Sequence, residues 1–280
     1  TAALLMGIPI AHLHGGELTE GAVDDAIRHA ITKMAALHFA AAEPYARRIV
    51  QMGEEPARVH VVGAPGLDNL VDVAGLSRAG LAAELKLDLD HDGGGRLFVV
   101  TYHPVTQAVD HGRAGAAAMT QALATHPDAT VLITGVNSDA GHGAIHAALS
   151  AFAAAEPRRR RLTASLGRRL YLGALKHADA VIGNSSSGLV EAPALNTPTV
   201  NIGDRQKGRL RAASVIDCAE DAGSISAAIA QALDPTFRAG AAHVAPPYGR
   251  GGAATRIAAI LADCDPAQLS RKRFHDIIGA

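Results

Sequence analysis

A short apolar run, Ala180-Val181-Ile182, passes straight into Gly183-Asn184-Ser185-Ser186-Ser187-Gly188 and then Leu189-Val190-Glu191. This order of a strand, a glycine-serine loop and an opening helical turn suits an anion. The first N–H groups of a helix have no internal partner and lie at the positive end of its dipole, so a diphosphate placed there answers both deficits. Serine hydroxyls add donors, and Gly183 lets a ligand approach the backbone. Glu191, one turn into the helix, can accept hydrogen bonds from sugar hydroxyls. The same residues also suit a plain strand-to-helix turn in which Ser185 or Ser186 is an N-cap.

A second group lies near the start, in His12-Leu13-His14-Gly15-Gly16-Glu17. If this segment is a strand end, His12 and His14 share one face and Glu17 follows them into a polar site. A His-x-His pair with a carboxylate can hold a metal, but no further ligand cluster completes a closed site, and no metal is expected. Next comes a helix over Val23–Met34, with Val23, Ile27, Ile31 and Met34 as its apolar stripe and Asp24/Arg28 and Asp25/His29 as i,i+4 neighbours. These are either surface ion pairs or an acidic N-terminus whose carboxylate is tuned for proton transfer. Further along, His103 precedes Pro104 at a strand end, where it can donate to a phosphate oxygen or supply a proton. Arg205 and Arg209, with Lys207 between them, follow another strand end and can grip a phosphate or a base carbonyl.

Strands must position these groups. Apolar runs predict strands at Leu97–Thr101, Thr130–Thr134, Leu162–Ser165, Ala180–Ile182, Thr199–Ile202 and Ser214–Asp217, with helical patterns between them. Strands alternating with helices imply a parallel sheet covered on both faces, with ligands bound beyond its carboxyl ends. Tyr102-His103-Pro104, Gly135-Val136-Asn137, the loop from Gly183 and Gly203-Asp204-Arg205 all fall at such ends. The front repeats the grammar more briefly, with strands at Ile8–Leu13, Leu37–Ala40 and Val59–Val62 and helices at Val23–Met34 and Glu43–Met52. Thr1–Met6 reads as the end of a helix. Ala64–Gly75 and the run Gly93-Gly94-Gly95 mark the passage between halves, and a last helix is expected at Ala253–Ala262. Arg158–Arg161 reads as a solvated turn before a strand.

The chain has 280 residues, 48% of them hydrophobic and 19% charged, with a formal net charge of −1. This balance, with a pI near 6.9, argues against a nucleic-acid footprint or a polybasic membrane surface. Cys218 and Cys264 are the only cysteines; without Cys-x-x-Cys or metal spacing they suggest neither a disulfide framework nor structural zinc, and a reducing cytoplasm is expected.

Taken together and in order, His12–Glu17, the block Asp24-Asp25-Ala26-Ile27-Arg28-His29-Ala30-Ile31-Thr32-Lys33, Gly63-Ala64-Pro65, His103-Pro104-Val105-Thr106, Gly183–Gly188 and Gly203–Arg209 resemble the hydrolysing UDP-N-acetylglucosamine 2-epimerases of sialic acid biosynthesis. The likeness runs over nearly the whole chain, to the basic-aromatic tail Leu269-Ser270-Arg271-Lys272-Arg273-Phe274. It implies an α/β fold of two Rossmann-like domains facing a cleft in a GT-B-like arrangement. Residues 1–75 would be the C-terminal part of the first domain, 76–248 the second, and 249–280 a helix and tail packing back on the first. The implied reaction turns UDP-N-acetylglucosamine and water into N-acetylmannosamine and UDP, through elimination to a glycal and hydration, with no cofactor.

By that resemblance Ser185, Ser186 and His103 would carry the phosphates, with Gly183 and Asn184 in the same loop. Glu191 would hold the ribose, Arg205 and Arg209 would lie near the nucleotide, and Glu17 and Asp24, with His14, would exchange protons with the sugar. A UDP-sugar and a second copy of the chain are the partners expected; nucleic acid and membrane are not. Family members also have an initial strand, a glycine-arginine loop and another catalytic aspartate ahead of the point matching Thr1. On that ground the chain alone is expected to be inactive or poorly folded. Val136, where relatives tend to carry proline, is a minor departure. The nearest rival reading is a hydrolysing 2-epimerase of a 2,4-diacetamido sugar nucleotide. A non-hydrolysing epimerase, a glycosyltransferase and a nucleotide-sugar binding fragment without catalysis are the others.

Overall fold

The computed structural model describes residues 1–20, 24–89, 95–105, 109–136 and 141–277. Val23 of the expected helix, Gly93 and Gly94 of the glycine run, Thr106 and Asn137 therefore lie outside the described residues. The chain divides into two compact units: residues 1–68 with 247–280, and residues 69–246. Residues 69–75 belong to the second unit, and the C-terminal segment belongs to the first. Among the described residues no helix is long and apolar enough to cross a membrane.

The second unit is built on a six-stranded parallel sheet. Its elements are α4 (Arg78–Leu85), β4 (Leu97–Thr101), α5 (Arg113–Ala124), β5 (Thr130–Thr134), α6 (His142–Ala155), β6 (Arg160–Thr163), α7 (Gly167–His177), β7 (Ala180–Gly183), α8 (Ser187–Ala194), β8 (Thr199–Ile202), β9 (Val215–Cys218), α9 (Ala222–Leu233) and α10 (Pro235–Ala242). The spatial order is β6-β5-β4-β7-β8-β9 with every pairing parallel. This is the doubly wound order of a Rossmann-like sheet, whose direction of winding reverses between β4 and β7. Alternation along the strands feeds two cores. Phe98, Val100, Val131 and Ile133 pack with Met119, Leu123, Leu149 and Ile225 on one face. Leu97, Val99, Leu132 and Val181 pack with Leu81, Leu172 and Leu175 on the other. Both faces being covered explains why these strands read as unbroken apolar runs.

The first unit comprises α1 (Ala2–Leu5), β1 (Ala11–Leu13), α2 (Asp24–Met34), β2 (Leu37–Ala40), α3 (Glu43–Gln51), β3 (Val59–Val61), α11 (Ala253–Asp263) and α12 (Pro266–Leu269). Its strands form a parallel sheet in the order β1-β2-β3. Ile257 of α11 packs with Leu37, Phe39 and Val62, so sequence from both ends of the chain shares one core.

Five expectations need correction. The strand expected at Leu162–Ser165 is Arg160–Thr163, because the ladder pairs Val131 with Arg160 and Thr134 with Thr163. Arg160 and Arg161 are thus strand residues and not a solvated turn. Arg160 lies 4.0 Å over the Phe152 ring and Arg161 bonds the Leu85 carbonyl, so both side chains fold back onto neighbouring elements from a partly exposed edge strand. β1 is shorter than Ile8–Leu13, since Pro9 has no N–H for a ladder. His14 is not on the strand face with His12: it adopts φ 60°, a left-handed turn that leaves the strand. Finally, α2 does not bury its apolar stripe. Ile27 is 53% exposed, while Thr32 is fully buried. Other strand and helix ends differ by a residue or so, within the ordinary fraying of such boundaries.

Gly183 ends β7 at φ 138°, and a Cβ there would lie 2.0 Å from the Thr101 carbonyl oxygen. Only glycine lets the β7 loop lie against β4. Gly183→Ala is expected to lower unfolding stability by roughly 3 kcal/mol or more. Denaturant melts with an unchanged slope and a lower midpoint would show it; an unchanged midpoint would refute this account of the loop.

Candidate functional site

At the reversal point of the second unit, the loops after β4 and β7 are held together by one side chain. The fully buried Asn184 accepts a hydrogen bond from the His103 N–H at 2.7 Å and donates one to the His103 carbonyl at 2.8 Å. Its backbone N–H donates to the Thr101 carbonyl at 3.1 Å. Asn184 therefore positions His103, and its amide is occupied by that task. Arg205 donates to the carbonyls of Pro104 and Asn184 at 3.3 and 3.2 Å, and the buried Gln206 adds a bond to Asn184 at 2.9 Å. Arg205 thus braces both loops, while Arg209 is half-buried on the same segment.

These loops open onto a cavity of about 320 Å³ lined by Thr101, His103, Thr134, Gly135, Ala164–Arg168, Tyr171, Ser185 and Ser187. It lies beyond the carboxyl ends of β4, β5, β6 and β7, where a doubly wound sheet takes its ligand. Ser186 stands at the N-cap of α8 with no side-chain capping bond. The Ser187 N–H reaches Ser185 Oγ at 3.4 Å. Tyr171 OH hydrogen-bonds Ser187 Oγ, and Thr101 Oγ1 lies 2.7 Å from Thr134 Oγ1. Burial keeps the Tyr171 phenol up above its usual range, so the group stays protonated. Glu191 is half-buried on α8. The arrangement presents serine hydroxyls, a helix N-terminus and an imidazole to one pocket, which is chemistry for a phosphate group. The sequence reading missed Thr101, Thr134 and Tyr171; only the hydroxyls at two strand ends signalled the first two, and Tyr171 reads as an ordinary core aromatic of α7.

In the first unit the turn after β1 is clamped on several sides. A Cβ on Gly16, at φ 76°, would lie 2.2 Å from the Tyr45 carbonyl oxygen, and Arg48 bonds the Gly16 carbonyl. Gly15 lies against the His12 ring. Arg28 donates to the Glu17 carbonyl at 3.2 Å and to Thr19 Oγ1 at 3.3 Å, while Asp25 accepts from the Thr19 N–H at 2.7 Å. The outcome is a buried Glu17 whose Oε1 lies 2.7 Å from Nδ1 of the more exposed His14, close enough for proton exchange. His14 and Glu17 are brought together. Asp24 is exposed in the first turn of α2, and no described contact ties it to Glu17; Asp25 is the carboxylate that reaches this loop.

Thr32, on the polar face of α2, is buried for a reason. Thr32 Oγ1 donates to the Arg28 carbonyl at 3.1 Å, which commits its only proton. The His12 Nδ1 at 3.2 Å must then be the donor to Thr32, which fixes the His12 tautomer. Burial, reinforced by the nearby His38 and Arg28, pushes the His12 pKa down to about 4, so the ring is neutral. At the far end of α2, Lys272 of the tail donates to the carbonyls of Thr32, Lys33 and Ala35 at 3.2, 2.7 and 2.8 Å. It also pairs with the buried Glu54 at 2.7 Å, alongside Lys33 at 2.6 Å and His38 at 3.0 Å. Burial pushes the Glu54 carboxyl up, but the hydrogen-bonded ammonium groups of Lys272 and Lys33 outweigh it and hold the pKa below the usual range.

Residues 1–262 match the family model for UDP-N-acetylglucosamine 2-epimerase. Over 217 residues the chain is 40% identical to the GDP/UDP-N,N'-diacetylbacillosamine 2-epimerase (hydrolyzing) of Campylobacter jejuni, covering 78% of this chain and 56% of that protein. The chain thus spans little more than half the length of that relative. It is 34% identical over 282 aligned positions to the polysialic acid biosynthesis protein P7 of Escherichia coli, covering 99% of this chain and 69% of that protein. A solved UDP-GlcNAc 2-epimerase from Neisseria meningitidis, bound to UDP-GlcNAc, has a TM-score of 0.78 at 17% identity, covering 94% of this chain and 72% of that one. At that identity the likeness is one of fold.

The neutral, buried His12 makes a pH prediction. Its folded pKa of about 4 lies below the ordinary histidine value of 6.5, so between those values the unfolded chain binds the extra proton. Stability should be fully present above about pH 6.5 and fall as pH drops toward 4, by about 3 kcal/mol from this residue. Denaturant melts of the first unit across pH 4–7, compared with His12→Asn, test it. An equally steep decline in the variant would remove His12 as the cause.

Proposed function

Since the chain belongs to the UDP-N-acetylglucosamine 2-epimerase family, we propose that it is a hydrolysing 2-epimerase of a nucleotide-linked 2-acetamido sugar. The observation that carries this reading is the Ser185–Ser187 loop with His103 at the reversal point of the sheet, a donor-rich pocket suited to a diphosphate leaving group. The second unit binds the nucleotide. Ser185, Ser186 and His103 meet the phosphates, Glu191 accepts from the ribose hydroxyls, and Arg205 and Arg209 hold the surrounding loop.

The first unit supplies proton transfer. A base takes the proton from C2 as the C1–O bond to UDP breaks, leaving a C1–C2 double bond. Water then adds its oxygen to C1, and C2 receives a proton on the opposite face. The products are the free 2-epimeric sugar and UDP. Glu17 and His14 are the proton-exchanging pair, because their 2.7 Å contact lets one hold the proton that the other has released. This pairing favours His14 over Asp24 as the partner of Glu17. Arg28 and Asp25 hold the loop that carries the pair.

A 2,4-diacetamido sugar is the preferred substrate, supported by the name of the relative at 40% identity. The second reading, UDP-N-acetylglucosamine hydrolysed to N-acetylmannosamine for sialic acid biosynthesis, is supported by the name of the relative at 34%.

Incubation of the full-length protein with each UDP-sugar in heavy water separates these readings. Free sugar with deuterium at C2 is expected, at a higher kcat/KM for the diacetamido substrate. Unlabelled product would sink the elimination route, and a sugar still linked to nucleotide would make the enzyme non-hydrolysing. Glu17→Gln should lower kcat at least about a hundred-fold with UDP affinity within two-fold. Normal turnover in that variant would return Glu17 to a structural role.

A further inference from the structure

α2 is held in place by its polar groups. Thr32 is its one buried residue and Ile27 lies in solvent, so apolar packing does not fix where the helix sits. A helix of this length is marginal alone, and its place must come from what its ends are bonded to. Its first half grips the turn that carries Glu17: Asp25 accepts from the Thr19 N–H, and Arg28 donates to the Glu17 carbonyl and to Thr19 Oγ1. Its last turn is gripped from outside.

The closing carbonyls of a helix have no internal donor and carry the negative end of its dipole. Here one ammonium answers them. Lys272 donates to the carbonyls of Thr32, Lys33 and Ala35, while Lys33 of α2 donates to the Met52 carbonyl at 2.9 Å. Both ammonium groups meet on Glu54. Lys272 lies in an irregular strap, residues 270–277, which is tied down by bonds that do not involve α2. Arg58 donates to the carbonyls of Gln268, Leu269 and Arg271 at 3.3, 3.4 and 3.0 Å, and the His275 N–H donates to the Gly53 carbonyl at 2.9 Å. Phe274 packs against Gly53, where a Cβ would lie 2.3 Å from the ring. α2 therefore runs between two anchors roughly 15 Å apart, the strap at one end and the Glu17 turn at the other. A hydrogen-bonded helix is a stiff element, so a shift at one end is delivered to the other.

We propose that Lys272 is a positioning residue for proton transfer: by capping α2 it sets, through the helix, the placement of the Glu17 turn. This rests on the reading of Glu17 and His14 as the proton-exchanging pair. The nucleotide pocket is built from other residues, so loss of the ammonium should be felt in kcat and not in UDP affinity.

Hydrogen exchange and turnover of the full-length protein test this. Lys272→Met should speed exchange of the Thr19 amide, at the opposite end of α2, about ten-fold, while the amide of the buried Ile49 in the same unit stays within about two-fold. kcat should fall about ten-fold with the Kd for UDP within about two-fold. If Lys272→Met does not fold, Arg58→Met loosens the strap and leaves the cap in place, since the described bonds of Arg58 go to the strap and to Glu55. It should move Thr19 exchange and kcat in the same directions by about three-fold. The proposal is overturned if exchange rises at Ala35 in the cap while Thr19 stays protected, or if Thr19 and Ile49 speed up together, which is a general loss of stability. It is also overturned if Thr19 is freed and kcat is unchanged while Glu17→Gln still stops turnover. Normal turnover in Glu17→Gln would instead overturn the acid/base reading, and the positioning role with it.

Discussion

The buried amide of Asn184 makes two hydrogen bonds to a single residue, His103, and the candidate nucleotide pocket depends on them. A doubly wound sheet must part its flanking helices where the winding reverses, so the loops leaving β4 and β7 lose the cover that the other strands have. Two loops that diverge from neighbouring strands have no ladder of their own to hold them. Asn184 replaces that ladder with a side chain, one bond in each direction. A buried amide left unpaired would cost about 1–3 kcal/mol per group, so the pair is held strongly in register. Gly183 makes the approach possible, and Arg205 and Gln206 fasten the third loop to the same carbonyl.

The first unit solves a similar problem with polar burial. The turn carrying Glu17 needs rigidity without bulk, since its glycines give it little side-chain packing. α2 supplies this by facing inward with Thr32, Arg28 and Asp25, whose hydrogen bonds reach the strand and the turn in sequence. A buried polar network is costly unless it is complete. Lys272 adds donors to this network, satisfying carbonyls at the end of α2 and sharing the charge of Glu54, while the buried His38 Nδ1 is left without a partner.

Much of the fold was legible in the sequence. β4, β5 and β8 carry the expected bounds because strands buried on both faces leave unbroken apolar runs. The serine loop was legible because glycine and serine clusters are confined to turns. Less legible were features that depend on distant partners. Asn184 reads as a ligand donor until its contact with a residue 81 positions away is seen. α2 misled because periodicity assumes an apolar interior, whereas this helix packs on a polar turn and leaves Ile27 in solvent. Arg160 and Arg161 misled because an edge strand facing solvent tolerates charge, so no apolar run marks it.

The division of the chain also orders its assembly in time. The second unit is one continuous stretch, residues 69–246, whereas the first needs residues 247–280 to complete it. On the ribosome the second unit can fold as soon as it has emerged. Glu54, made early, meets Lys272 only after more than two hundred further residues have been synthesised. Until then a carboxylate destined for burial lacks one of its two ammonium partners, and the last carbonyls of α2 lack their donor. Of the two units, the first is thus the later to mature, and a ribosome that stalls before the tail leaves the second unit formed and the first unit unfinished.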